Sequence, residues 1–285
     1  MKKIVIKSVM ITSYNRPHIL ERTLEYLFKS QLIDECNIVI VQQDINNKFT
    51  KLFQKINHKN FFLLKTKYPK EWNPHKKMIL NGRKGMKYCF EKLNSDICIY
   101  LEDDIAVSND FIKFCNFIIN KYQKDDNFFG VNSFSRERLS EDKINLYCKF
   151  IYGIGKGWAV PKKRWKLIKK LWNNRFINEY EAPLYDAPIE KYIKDNSKYV
   201  VMPINSRSYE IPSNGVNINL KDNFEYFVNF KKSFVNQKKI NYDYKYSFFH
   251  KYSWRSDCVK YKGQLFHYFN KTLYKFFKNI YLKIK

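Results

Sequence analysis

The segment Ile97-Cys-Ile-Tyr-Leu-Glu-Asp-Asp-Ile105 constrains the fold more than any other in this chain. Five apolar residues, rich in β-branched and aromatic types and free of turn signals, read as a buried strand. The run stops on three carboxylates, Glu102, Asp103 and Asp104, and then resumes. Open α/β sheets receive their ligands beyond the carboxyl ends of their strands. Three adjacent acids there repel one another and call for a cation. A hard divalent ion bridging to a phosphate meets that need. An acidic turn opening the next helix, where carboxylates favour the dipole, is the other reading.

Alternation of strand and helix follows the chain on both sides. Strands are expected at Lys3–Ser13, Asn37–Gln43, Phe61–Leu64 and 97–101, with short ones near 128–134 and 147–151. Helices are expected from Pro17, a first-turn proline, and at 75–93, 109–122, 161–171 and 185–195. Gly82 and Gly85 weaken the second of these helices. This order points to βαβ units and a parallel sheet.

With 285 residues, 45% of them hydrophobic, the chain can bury a large core. It has no apolar run of membrane-spanning length. The start, Met-Lys-Lys-Ile-Val-Ile, runs into a strand without a small-residue cleavage site, so no signal peptide is expected. Six cysteines without CxxC spacing fit core positions in a reducing cytoplasm. The formal charge of +26 raises the question of nucleic acid, but lysine supplies 44 of the 53 cationic residues. Arginine, the bidentate reader of bases and phosphates, is scarce, so no nucleic-acid partner is expected.

Charge concentrates at the end of the chain. Residues 231–285 carry fourteen Lys or Arg against Asp243 and Asp257. A domain over 1–230 followed by a basic, aromatic extension over 231–285 is therefore expected. Within the extension Phe266, Phe269, Leu273, Phe276, Phe277 and Ile280 form one helical stripe, flanked by Lys271, Lys275 and Lys278. Residues 265–285 suit an anionic membrane surface, or else pack on the preceding domain.

Four segments carry a resemblance when read together: Val9-Met-Ile-Thr-Ser-Tyr-Asn-Arg-Pro-His18; Ile38-Val-Ile-Val-Gln-Gln-Asp44; Leu101-Glu-Asp-Asp-Ile105; and a run from Gly157-Trp158 through Tyr185-Asp186-Ala-Pro188 to Ser206-Arg-Ser208 and Gly215-Val216. In order and spacing they resemble the GT-A-fold nucleotide-sugar glycosyltransferases over roughly residues 4–220. They are similar above all to the Golgi N-acetylglucosaminyltransferase family that initiates hybrid and complex N-glycans. The opening Thr-Ser-Tyr-Asn-Arg-Pro is similar to the bacterial family-two inverting transferases.

The resemblance implies an α/β GT-A fold and an inverting, metal-dependent hexosyl or N-acetylhexosaminyl transfer. The donor would be UDP-linked, the acceptor a glycan or glycolipid of a bacterial surface polysaccharide or lipooligosaccharide. Mn²⁺ or Mg²⁺ would be the cofactor. Beside the resemblance, the cysteines and the basic aromatic tail lead to an expected cytoplasmic location on the inner face of the membrane. The resemblance implies roles for Thr12, Arg16 and Asp44 at the nucleotide, Asp103 at the ribose, Asp104 as metal ligand and Glu102 in support. Asn81 and Arg83 fall where the family keeps a histidine near the nucleotide, a departure from its pattern. Gly157 and Trp158 would lie beneath the donor sugar. Asp186 would be the catalytic base, and Arg207, in a mobile loop, would face a phosphate. Structural roles stand beside these: a turn residue for Asp44, a solvated helix start for Arg16, a polar helix face for Asn81 and Arg83. Trp158 equally suits the core, Asp186 a helix cap, and Arg207 an ion pair with Glu210 or another acid.

No HxH, HExxH, GxSxG or Gly-rich phosphate loop occurs, which excludes the common nucleophile and P-loop chemistries. A catalytically degenerate domain working as a membrane- or polyanion-binding protein is the alternative from another class. A nucleotidyltransferase shares the paired acids but would need a Gly-rich loop after the first strand.

Overall fold

The computed structural model describes residues 5–135, 144–151, 153–173, 186–213 and 244–246. The chain divides after Tyr246 into two units, and all of the described residues lie in the first. The basic stripe at 265–285 therefore lies outside the described residues. Residues 244–246, expected in the extension, belong to the first unit, and Lys245–Tyr246 join its sheet.

The described strands are β1 (Lys7–Tyr14), β2 (Cys36–Gln43), β3 (Phe61–Thr66), β4 (Ile97–Glu102), β5 (Ile105–Val107), β6 (Phe128–Asn132), β7 (Leu146–Phe150), β8 (Trp158–Pro161), β9 (Tyr199–Pro203), β10 (Ser208–Glu210) and β11 (Lys245–Tyr246). The described α-helices are α1 (Pro17–Leu27), α2 (Asn47–Gln54), α3 (Pro74–Lys87), α4 (Phe111–Tyr122), α5 (Trp165–Leu171) and α6 (Ala187–Asp195). Nine strands make one sheet in the order β11-β7-β9-β6-β8-β4-β1-β2-β3, and β5 pairs with β10 in a separate antiparallel ribbon. The run β3-β2-β1-β4 is parallel throughout, and β8 enters antiparallel between β4 and β6. The fold is thus the expected α/β one: a large, mostly parallel sheet flanked by helices.

β1 is buried on both faces up to Ser13, as the continuous apolar pattern of a central parallel strand requires. Alternation sends Val9 and Ile11 into the cluster formed with Leu20, Leu24, Phe49 and Phe111 of α1, α2 and α4. Met10 faces the other way, toward α3. The glycine at position 85 is needed there, because an added Cβ would stand 2.7 Å from Met10 Cε and 2.8 Å from Val41 Cγ2. The residue that lowers helix propensity is the one that lets α3 lie against the sheet. A π turn, Tyr88–Lys92, continues α3 and covers the rest of the expected helix.

Register fixes where the polar loops emerge. Thr12 pairs with Glu102, Tyr14 with Gln43, and Gln43 with Thr66, so four parallel strands end along one edge. The segment behind that edge is held by a buried ion pair. Arg207, 1% exposed at its side chain, donates from Nε to Asp110 Oδ2 at 2.8 Å and from its other nitrogens to the carbonyls of Asn205 and Ile144. Asp110 also receives Ser108 Oγ at 2.6 Å and Tyr244 Oη at 3.0 Å. Five described cysteines, at 36, 89, 98, 115 and 148, are buried and free. Among the described residues no helix is long and apolar enough to cross a membrane.

Removing one side of a buried pair strands the other charge, at a cost of about 3–5 kcal/mol. Arg207→Met should lower stability by that amount in urea denaturation. Tyr244→Phe should cost about 1.5–3 kcal/mol, since it removes one hydrogen bond to a charged acceptor. An Arg207→Met variant of wild-type stability would show the pair to be inconsequential.

Candidate active site

The three acids sit at the C-terminal end of β4 and in the turn to β5. Glu102 closes the strand, and Asp103 and Asp104 form the turn, both buried. The β1–α1 loop wraps Asp103. Its carboxylate receives Ser13 Oγ at 2.9 Å, the Tyr14 amide at 3.2 Å and an Arg16 guanidinium nitrogen, while its carbonyl receives Thr23 Oγ1 at 2.7 Å. The same Arg16 nitrogen reaches Asp104 Oδ2 at 3.0 Å, and the other terminal nitrogen donates to Ser213 Oγ at 3.0 Å. Arg16 is therefore a bridge across both acids rather than a solvated helix-start residue.

Electrostatics show how crowded the turn is. Burial raises the Asp103 carboxyl above its usual range, and Arg16, Ser13 and the Tyr14 amide pull it part of the way back. Burial, then the Asp103 charge, pushes Asp104 up to about 7, with Glu210 adding to the rise and Arg16 opposing it. Burial also works against the Arg16 cation, but the two carboxylates outweigh it and hold its pKa above the ordinary value. One guanidinium does not fully offset two buried acids, so the turn retains an affinity for further positive charge.

These donors fit Mn²⁺ or Mg²⁺ of a particular kind. Among the described residues no group of three or more His, Cys, Asp or Glu could hold a metal alone. A cation that takes one or two carboxylates and draws its remaining oxygens from phosphate and water suits such a site. Asp103 already receives Ser13, the Tyr14 amide and Arg16, whereas among these donors only Arg16 reaches the Asp104 carboxylate.

A chain of amides reaches Asp44 at the β2 end. Thr66 Oγ1 donates to Asn81 Oδ1 at 2.9 Å, Asn81 Nδ2 to Gln43 Oε1 at 3.3 Å, and Gln43 Nε2 to Asp44 Oδ2 at 3.2 Å. Asp44 is exposed at φ +51°, a left-handed turn that aspartate tolerates. Asn81 is buried and acts through Gln43. Arg83, half-buried two residues further along α3, does not share a face with Asn81.

Tyr100 links this edge to Asp186. Its hydroxyl lies 3.2 Å from Thr12 Oγ1, and the charges of Glu102 and Asp186 both add to the large upward shift that burial gives the phenol. Asp186 precedes α6 with helical backbone angles and makes no side-chain capping bond, so it does not serve as an ordinary N-cap. Burial pushes its carboxyl up to about 6, against the opposing pull of the Asp186 and Ala187 amides.

Two expected donor contacts lie in the interior instead. Trp158 is fully buried, stacked on Tyr100 at 5.2 Å and edge-on to Trp172, so its ring belongs to the core. Arg207 spends its donors on Asp110 and two carbonyls and has no free face for a phosphate. The Ser206–Ser208 segment, expected to move, is buried and bound to Ser133 and Ser135. Asn214, Gly215 and Val216 lie outside the described residues. Gly157, at φ +93°, is held by Ser133, whose Oγ donates to its carbonyl at 2.6 Å. Sequence reasoning missed Ser13, Gln43, Thr66, Tyr100, Lys156 and Glu210. Ser13 and Gln43 lay within the motifs already singled out, whereas Glu210 had no local signal.

No sequence family matches this chain, and no curated protein matches it. Solved structures similar to it include a mannosyltransferase, PcManGT, from Pyrobaculum calidifontis in complex with GDP-Man and Mn²⁺, at 13% identity and TM-score 0.40, over 57% of this chain and 46% of that one. TarS of S. aureus is similar in a 1–349 form at 11% identity and TM-score 0.49, over 73% and 61% of the two chains. In a second TarS structure the figures are 12% and 0.42, over 58% and 30%. The chain thus matches less than two thirds of the length of each of these proteins.

The Asp186 assignment has a consequence for stability. A carboxyl whose pKa is raised on folding contributes stability below its unfolded pKa, about 4, and loses it as pH rises through about 6. Asp186→Asn should therefore melt near the wild type at pH 4 and a few degrees above it at pH 8. Thermal melts across that range test this, and a difference independent of pH would contradict the raised carboxyl.

Proposed function

We infer that this chain transfers a sugar from a nucleotide-diphosphate donor to a hydroxyl of a glycan or glycolipid acceptor, with inversion. One observation carries the reading: a buried acid pair at the end of β4 shares an edge with a desolvated carboxylate, Asp186, that no capping bond explains. The motif resemblance over residues 4–220 agrees with it.

In this reading the base of the nucleotide lies against Asp44, whose carboxylate can accept the imide hydrogen of uracil, so the donor is UDP-linked. Gln43 and Asn81 fix the direction of that carboxylate. Thr12 and Arg16 line the nucleotide edge, Asp103 addresses the ribose, and Glu102 supports the floor beside Tyr100. A divalent cation held by Asp104 would supply positive charge to the diphosphate as it departs. Gly157 lies beneath the sugar.

Asp186 acts on the acceptor. Its carboxylate takes the hydroxyl proton while the acceptor oxygen bonds to the anomeric carbon, and the carbon–phosphate oxygen bond breaks with its electron pair leaving on the diphosphate. A pKa near 6 suits that task, for the group is ionised at neutral pH yet basic enough to accept the proton. A single displacement turns an α-linked donor into a β-linked product. The basic aromatic segment 265–285 would hold the chain on the anionic inner face of the membrane, near a lipid-linked acceptor.

Asp186→Asn should lower kcat by about 10²–10⁴-fold while donor affinity stays within a few-fold. The acid limb of the wild-type pH profile should fall near 6. A near-normal kcat in the variant, or an α-linked product, would remove Asp186 from the mechanism. Asp104→Asn should abolish transfer, and a chelator should silence the wild type. Full activity in excess chelator would remove the cation.

A further inference from the structure

The loop before β8 reads Gly153-Ile-Gly-Lys-Gly157, and four of its five residues have positive φ: Gly153 at +73°, Gly155 at +157°, Lys156 at +47° and Gly157 at +93°. Glycine fills three of those positions, as the backbone demands. Lys156 is the exception. A long side chain kept where glycine would be relaxed points to a use for that side chain, since such strain gathers at functional sites.

The side chain leads back to the acid turn. Lys156 Nζ stands 2.8 Å from Glu210 Oε2 and 4.8 Å over the Phe134 ring, with about a quarter of the side chain exposed. Glu210 lies in β10 opposite Ile105, so it neighbours Asp104, whose carbonyl receives the Ile211 amide at 2.6 Å. The loop's other flank reaches the candidate base, for a Cβ added at Gly155 would lie 3.8 Å from Asp186 Oδ2. Lys156 therefore rises from a loop that runs between the acid turn and Asp186, on an element separate from Arg16. The pair is mostly buried, so the ammonium already sits where a second anion would have to compete with Glu210 for it.

We propose that Lys156 binds the diphosphate of the donor, its ammonium exchanging Glu210 for an oxygen of the second phosphate when the nucleotide arrives. This rests on the nucleotide-diphosphate reading above. An ammonium on a flexible stem suits the exchange, because it pairs with either anion as a point charge. Glu210 keeps the ammonium beside the acid turn while the site holds no nucleotide.

Calorimetric titration of the full chain with UDP and UMP, and with GDP and GMP, in Mg²⁺ tests this. In Lys156→Gly, diphosphate affinity should fall at least about tenfold while monophosphate affinity holds, since only the second phosphate loses a partner. Lys156→Gln should show the same loss, and Lys156→Arg should keep most of the affinity. The melting temperature should fall in all these variants but Lys156→Arg, because the change leaves Glu210 unpaired beside Asp104. Unchanged diphosphate affinity in the Gly and Gln variants, or equal loss for mono- and diphosphate, would overturn the assignment. A lower melting temperature with both affinities intact would give Lys156 a structural role instead. If the wild type binds none of the four nucleotides, the functional reading fails and this assignment with it.

Discussion

Asp103 is the group on which the order of the candidate site depends. Its carboxylate gathers Ser13, the Tyr14 amide and Arg16, and its carbonyl takes Thr23, so one turn residue fastens both the β1–α1 loop and the first helix. Taking that carboxylate out of water is unfavourable, and the donors around it offset the cost only because they come from several separate positions in β1 and α1. Asp104, one residue on, lacks such support. Burial, and then the charge of its fully bound neighbour, raise the Asp104 pKa to about 7, so the pair would gain from a further cation. The division of labour between two adjacent aspartates thus follows from which one the protein has already satisfied.

Much of the sheet was legible because central parallel strands carry a plain signal. β1, β2 and β4 carry apolar runs, over residues 9–11, 38–41 and 97–101, and polar residues follow each. Elements of two to four residues gave no period to read. β5, β10 and β11 exist through pairing with distant partners, and β8 is sheltered between β4 and β6. Helix α2 was readable in principle. Asn46 accepts from the amides of Lys48 and Phe49, a cap whose sequence signature precedes Phe49, Leu52 and Phe53.

Within the site, the charged residues of the motifs were found, their polar neighbours Ser13, Gln43 and Tyr100 were passed over, and residues close only in space had no signal. Arg16, Asp103 and Asp104 sit in motifs, and the structure joins them. Glu210 meets Asp104 through the β5–β10 ribbon, and Ser213 meets Arg16 across 197 positions, a separation no spacing rule spans. Arg207 shows the converse. An arginine between serines, ahead of a glycine-containing segment, has the look of a phosphate contact, yet Asp110, 97 residues earlier, claims it. An isolated sequence does not reveal which carboxylate an arginine will meet.

The same edge gathers several arrangements that work against folding stability. Asp103, Asp104 and Asp186 all have carboxyls raised by burial, and Lys156 occupies a backbone region that suits glycine. Each arrangement costs folding energy that the apolar strands beneath must supply, and that core is extensive. The buried Arg207–Asp110 pair behind the edge acts differently. It gains little over an apolar substitute, but it fixes the Ser206–Ser208 segment against the Ser133 strand end. From there β10 runs antiparallel to β5 and sets Glu210 beside Asp104. Precision at the acid turn is thus built from behind, by a charge pair that never meets solvent.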